Sequence, residues 1–153
     1  MHLVPDLVAE AVATLGEAPQ ARPEDGELLL IGRRHQRDCN SWLHNTERLT
    51  KGKPRHQLLM HPDDLAARDL EDGTRVQVTS RVGKVEVEVA ATDAMMPGVV
   101  SLPHGYGHAG DGVRLARATE LPGVSINDLT DPERLDVSGN AVLNGTPVTV
   151  TPA

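Results

Sequence analysis

The residues best equipped for chemistry fall in two short stretches. Residues 33 to 56 hold Arg33, Arg34, Arg37, Arg48, Lys51, Lys53 and Arg55 against only Asp38 and Glu47, a local surplus of five positive charges in a chain of net charge −7. The remainder therefore carries −12. A basic patch on an acidic body suits a compact anion such as a pyrophosphate better than a nucleic-acid duplex, whose long charged backbone the acidic surface would repel. A solvated charge cluster balanced by neighbouring acids is the plainer alternative. Inside this stretch Asn40, Ser41 and Trp42 are followed, after Leu43, by His44 and Asn45. Amide, hydroxyl and imidazole groups both donate and accept, as the edge of a heterocycle requires, and N–H groups at a helix start favour phosphate. A helix cap with Trp42 as its core anchor accounts for the same residues, and both readings can hold together. Cys39 has no histidine base assigned to it by spacing and reads as a lone thiol.

The second stretch is HGYGHAGDG, residues 104 to 112. His104 and His108 would share a face on a helix and could grip a metal. Yet Gly98, Gly105, Gly107, Gly110 and Gly112 disfavour a helix, so no metal site is expected. The glycines instead let the backbone approach a flat ligand closely, with His104 and Tyr106 offering polar edges to it. A mobile surface loop is the alternative.

The chain has 153 residues, 39% hydrophobic and 24% charged, an ordinary globular composition for one domain with a short appendage. No apolar run approaches the ~20 residues of a membrane helix. Only His2 precedes an acidic stretch at the start, which is unlike a secretory signal, so a cytoplasmic setting is the default expectation. A single cysteine supplies neither an internal disulfide nor a metal cage. Trp42 and Tyr106 are the whole aromatic inventory, which argues against a base-stacking surface and demands an aliphatic core. The glycine-rich dinucleotide fingerprint, the Walker pattern and the G-x-S-x-G elbow are all missing.

These loops need a frame. Residues 5 to 15 read as a short amphipathic helix that packs against something, and 16 to 26 as a polar linker. ELLLI (27 to 31) is a buried strand that ends at Gly32 and delivers the basic loop. A helix over 41 to 50, capped by Ser41, precedes a strand at 57 to 61, and a proline-initiated helix covers 62 to 70. TRVQVTS (74 to 80) and KVEVEVA (84 to 90) alternate about Arg81-Val82-Gly83, the pattern of a hairpin with one buried face. VVSL (99 to 102) is another buried strand, 103 to 123 a long loop, and PVTVT (147 to 151) the last strand. Many short strands with few helices point to a small closed β-barrel.

Taken in order, LLLIGRR (28 to 34), NSWLHN (40 to 45), LMHPDDLAARDLEDGTRVQVTSRVGKVEVEV (59 to 89), PGVVSLPHGYGH (97 to 108), PGVSINDLTD (122 to 131) and SGNAVLNGTPVTV (138 to 150) resemble one domain. It is the C-terminal molybdopterin-dinucleotide-binding domain of the dimethyl sulfoxide reductase family of molybdenum and tungsten oxidoreductases, which includes formate dehydrogenases and nitrate reductases. The resemblance implies a mainly β, double-psi β-barrel of the aspartate-decarboxylase-like kind, with a few short helices, spanning 27 to 153. It implies a bis-molybdopterin guanine dinucleotide cofactor, one of whose pterin dinucleotides meets three places here. They are the loop with Arg33, Arg34, Asn40, Ser41, Trp42, His44 and Asn45; the loop with His104, Gly105 and Tyr106; and Asn127.

The family's metal ligand, iron–sulfur cysteines and other pterin site lie in domains this chain does not contain. The resemblance therefore implies an excised domain, inactive alone, with residues 1 to 26 from the preceding domain and the rest of an oxidoreductase as its partner, without nucleic acid or membrane. A double-psi barrel used as a protein- or peptide-binding adaptor is the alternative, and it would scatter the loops. A self-processing decarboxylase on the same barrel would need a Gly-Ser pair, which the chain lacks.

Overall fold

The computed structural model describes residues 4–14, 26–135 and 139–153. Six strands form a closed barrel: β1 (Leu28–Arg33), β2 (Leu58–Met60), β3 (Arg75–Thr79), β4 (Lys84–Ala91), β5 (Val99–Pro103) and β6 (Thr146–Pro152), in the spatial order β1-β5-β2-β4-β3-β6. Closure removes exposed strand edges, which suits strands this short. β1 pairs parallel with β5, Leu29 opposite Val99 and Arg33 opposite Pro103, so both strands release their loops at the same end. That register places the basic loop beside the HGYGH loop.

The hairpin forms as its alternation predicts, with Val76 opposite Val87 and Val78 opposite Val85. Its valines point inward and join Leu28, Leu30, Leu58, Met60, Val100, Leu102 and Val148 in an aliphatic core. Leu102 is fully buried on the strand between β1 and β2. Leu102→Ala should therefore cost about 3 kcal/mol, the usual range for emptying a buried leucine site, read as a lowered denaturation midpoint at unchanged slope.

Helix α1 (Asp6–Thr14) is close to expectation, but its Leu7, Val8 and Val12 are exposed instead of packed. The expected linker falls almost wholly outside the described residues. The helix expected over 41 to 50 shrinks to α2 (Glu47–Thr50), with Thr46 and not Ser41 at its N-cap position. Cys39 and Asn40 take left-handed backbone (φ 43° and 60°), so residues 36 to 45 run as successive turns. Helix α3 is shorter than expected, Pro62–Ala66, and α4 (Ala116–Glu120) lies within the stretch expected as loop.

Candidate functional site

Arg33 ends β1, and its side chain turns back on the barrel. The guanidinium donates to the carbonyls of Ser101 (2.5 Å), Arg55 (3.0 Å) and Gln57 (2.6 Å). Burial pulls its pKa down to about 10. Arg33 thus staples β1 and β5 to the chain entering β2. Arg34 is the exposed member of the pair and donates to Asn40 Oδ1.

Two loops then meet. A side chain at Gly32 would run into the His104 ring, and one at Gly105 would overlap the carbonyl of Asn40 and come within 2.9 Å of Ser41 N. Gly105 also holds φ +89°, so both its backbone and its surroundings demand glycine. The Tyr106 ring lies between His44 (4.2 Å between centroids) and His56 (4.5 Å). His44, 3% exposed, reaches the HGYGH loop through Nδ1, which is 2.8 Å from His108 Nε2. Below it Asp38, 1% exposed, accepts from Arg55 at 2.6 Å.

The third segment abuts the second, since a side chain at Gly107 would come within 2.9 Å of Ser125 Cβ. The Ser125 hydroxyl accepts from Asn127 N–H at the start of a 3-10 turn (Ile126–Asp128) whose Ile126 and the following Leu129 are buried. Arg81 grips Asp131 through two bonds of 2.6 Å and holds that carboxyl down at about 2. Anchored on both sides, the turn leaves Asn127 exposed, its side-chain amide unbonded among the described residues.

Two further assignments change. Trp42 is 84% exposed, so it is not a core anchor. Asn45 Oδ1 accepts from the N–H groups of Arg117 (2.8 Å) and Ala118 (3.2 Å), capping α4 from outside. Asp38, Arg55, His56 and His108 organise the site although the sequence analysis assigned them no such role. Their partners lie up to 68 positions away, and only the excess of histidine and arginine in these loops signals them. A cavity of about 500 Å³ opens beside Tyr106 and His56, rimmed by Lys51, Lys53, Arg55 and Arg117. Burial lowers the pKa of His56, His104 and His108, so these rings stay neutral at neutral pH and offer one donor and one acceptor each. Among the described residues no group of three His, Cys, Asp or Glu is placed to hold a metal ion.

A closed barrel with three loops gathered at one mouth, presenting a cation, amides and ring edges, is built to hold a compact polar ligand. The chain belongs to the molydopterin dinucleotide binding domain family, whose model matches residues 28–147. It is 33% identical over 121 residues to a tetrathionate reductase chain of Salmonella typhimurium, covering 67% of this chain and 12% of that protein. It is 31% identical over 86 residues to biotin sulfoxide reductase of Cereibacter sphaeroides, covering 55% of this chain and 12% of the relative. A match to dimethyl sulfoxide/trimethylamine N-oxide reductase of Rhodobacter capsulatus reaches 47% over 47 residues, 31% of this chain and 6% of that protein. The acetylene hydratase structure from Pelobacter acetylenicus superposes on the whole chain with a TM-score of 0.71 at 18% identity, using 21% of its own length. The fold is a double-psi β-barrel. The family is described by its binding of a molydopterin dinucleotide. The chain spans about an eighth or less of the curated relatives it matches. None of the described helices is long and apolar enough to cross a membrane.

Proposed function

We propose that the three joined loops hold one pterin guanine dinucleotide of a larger molybdenum or tungsten oxidoreductase, the chain contributing binding and orientation and the metal ligand coming from elsewhere. The observation that carries this reading is the convergence of the basic loop, the HGYGH loop and the Asn127 turn on one mouth. An adaptor would not need that convergence. Arg34 supplies charge for a pyrophosphate, Asn127 and Asn40 supply amides for a ring edge, and the exposed face of Trp42 covers a flat ligand. His44, His104, Gly105 and Tyr106 shape the floor, Ser41 lines it, and Arg33 and Asn45 hold the loops in place. The donors present thus fit the group, which when bound supplies the redox chemistry of the whole protein. Residues 1 to 26 serve as the connector from a preceding domain. Whether the whole protein acts on formate, nitrate or another substrate is decided by domains outside this chain.

The test is the full-length protein carrying Arg34→Ala or Asn127→Leu, assayed for bound molybdenum and pterin over a range of salt, with melting temperature alongside. Arg34→Ala should lose cofactor most at low salt and depend on salt less than the native protein does, because the charge that salt screens is gone. Asn127→Leu should lose it with little salt dependence, since an unpaired ligand edge costs roughly 1–3 kcal/mol. Full retention in both, or loss only in step with unfolding, would sink the assignment.

A further inference from the structure

The 2.8 Å bond between His44 Nδ1 and His108 Nε2 requires one ring to donate and the other to accept. The remaining nitrogen of His44 decides which. His44 Nε2 makes no hydrogen bond among the described residues and lies 3.6 Å from Asp38 Oδ1, a carboxylate buried with it. Were His44 to donate through Nδ1, the lone pair on Nε2 would face that oxygen where little water screens the repulsion. The other tautomer turns an N–H towards it.

We propose that His108 is a positioning residue, its Nε2–H donating to Nδ1 of a His44 whose Nε2–H faces Asp38, so that this one bond clamps the HGYGH loop to the basic loop. The clamp joins residues 64 positions apart. Its value to cofactor binding rests on the function proposed above, but its chemistry does not.

The clamp is sensitive to acid. Protonating both rings would leave two N–H groups and two positive charges facing each other at 2.8 Å. The charged and titratable groups around the pair are Asp38, with Arg55 bound to it and Arg33 near it, Tyr106 against His44, and His56 beyond Tyr106. Asp38 alone favours an added proton, and Arg55 already compensates its charge. Burial, then His44, holds the His108 pKa below the ordinary histidine range. A base depressed in the folded state contributes its full stability above the unfolded value of about 6.5 and loses it as pH falls towards the folded value. Acid should therefore loosen the two loops while the barrel persists.

The experiment is NMR on the ligand-free, 15N-labelled full chain, with His108→Leu and His108→Gln alongside. Near neutral pH, His44 and His108 should each carry the proton on Nε2 and leave Nδ1 bare. On acidification the amide signals of residues 40–44 and 104–108 should shift with one midpoint, that of the step at which both rings carry a charge, while those of the β3–β4 hairpin hold. His108→Leu should displace both loops already at neutral pH and abolish the shared step. His108→Gln, whose amide can donate to His44 Nδ1, should restore the native loop signals without restoring the step. A proton on His44 Nδ1, separate midpoints for the two loops, or equal displacement in both variants would overturn the proposal. If the leucine variant does not fold, the tautomers and the glutamine variant decide the matter. Because no ligand is present, these outcomes are independent of whether the loops contact a dinucleotide.

Discussion

Gly105→Ala should part the basic loop from the HGYGH loop, and the full-length protein carrying it should lose most of its cofactor. Two costs add at this position. The backbone at φ +89° disfavours any residue with a Cβ, by roughly 1–2 kcal/mol. The added methyl would also occupy space held by the Asn40 carbonyl, a fixed backbone group and not the end of a flexible side chain. Asn40 cannot readily retreat, being itself in left-handed backbone and tied to Arg34. A combined penalty of about 3 kcal/mol or more follows, localised in the loops. Hydrogen exchange should show residues 38–45 and 104–108 opening while the core amides stay protected. Gly98→Ala is the control, because Gly98 has nearly the same φ, +83°, with nothing within 4 Å of the added carbon. If the two variants behave alike, loop crowding is not what makes Gly105 necessary.

Arg33→Ala and Arg34→Ala, neighbours of identical chemistry, should fail in different ways. Removing Arg33 leaves the carbonyls of Ser101, Arg55 and Gln57 without their charged donor, and it unties β1 and β5 from the approach to β2. Bonds to a charged group contribute about 1.5–3 kcal/mol each, and water can replace part of them at this half-buried site, so a loss of about 3 kcal/mol is expected. Urea denaturation should show it directly as a lowered midpoint. Arg34, exposed and among the described residues bonded only to Asn40, should leave the midpoint within about 0.5 kcal/mol of native. Equal losses from the two would mean that the carbonyl staple contributes little.

The parts of this protein legible in its sequence are those governed by local pattern. Val76 and Val78, and Val85, Val87 and Val89, alternate along their strands, and a hairpin buries all five on one side, while Val82 in the turn is exposed. Charge arithmetic singled out the basic loop without any knowledge of its neighbours. What stayed hidden depends on partners distant in the chain. Nothing near Arg33 announces that its guanidinium finds three carbonyls at positions 55, 57 and 101. The Ser41 cap is plausible by residue type, but Cys39 and Asn40 take a left-handed turn that packs against Gly105, far along the chain. Likewise the spacing of His104 and His108 suggested a shared face, whereas each pairs with something else: His104 covers Gly32, and His108 bonds His44.

The order in which the barrel closes has a consequence for biosynthesis. β6 is the last strand to emerge from the ribosome, yet it pairs with the first, Val148 opposite Leu28, and with β3, Val150 opposite Val78. A nascent chain that lacks it has an open sheet with two unsatisfied edges, and such long-range closure is slow compared with helix or hairpin formation. Until residues beyond 146 clear the exit tunnel, β1 has only β5 beside it, and the mouth loops have no completed rim to stand on. On the function proposed above, a chain truncated before β6 should therefore fail to hold cofactor at this mouth, because its rim is incomplete.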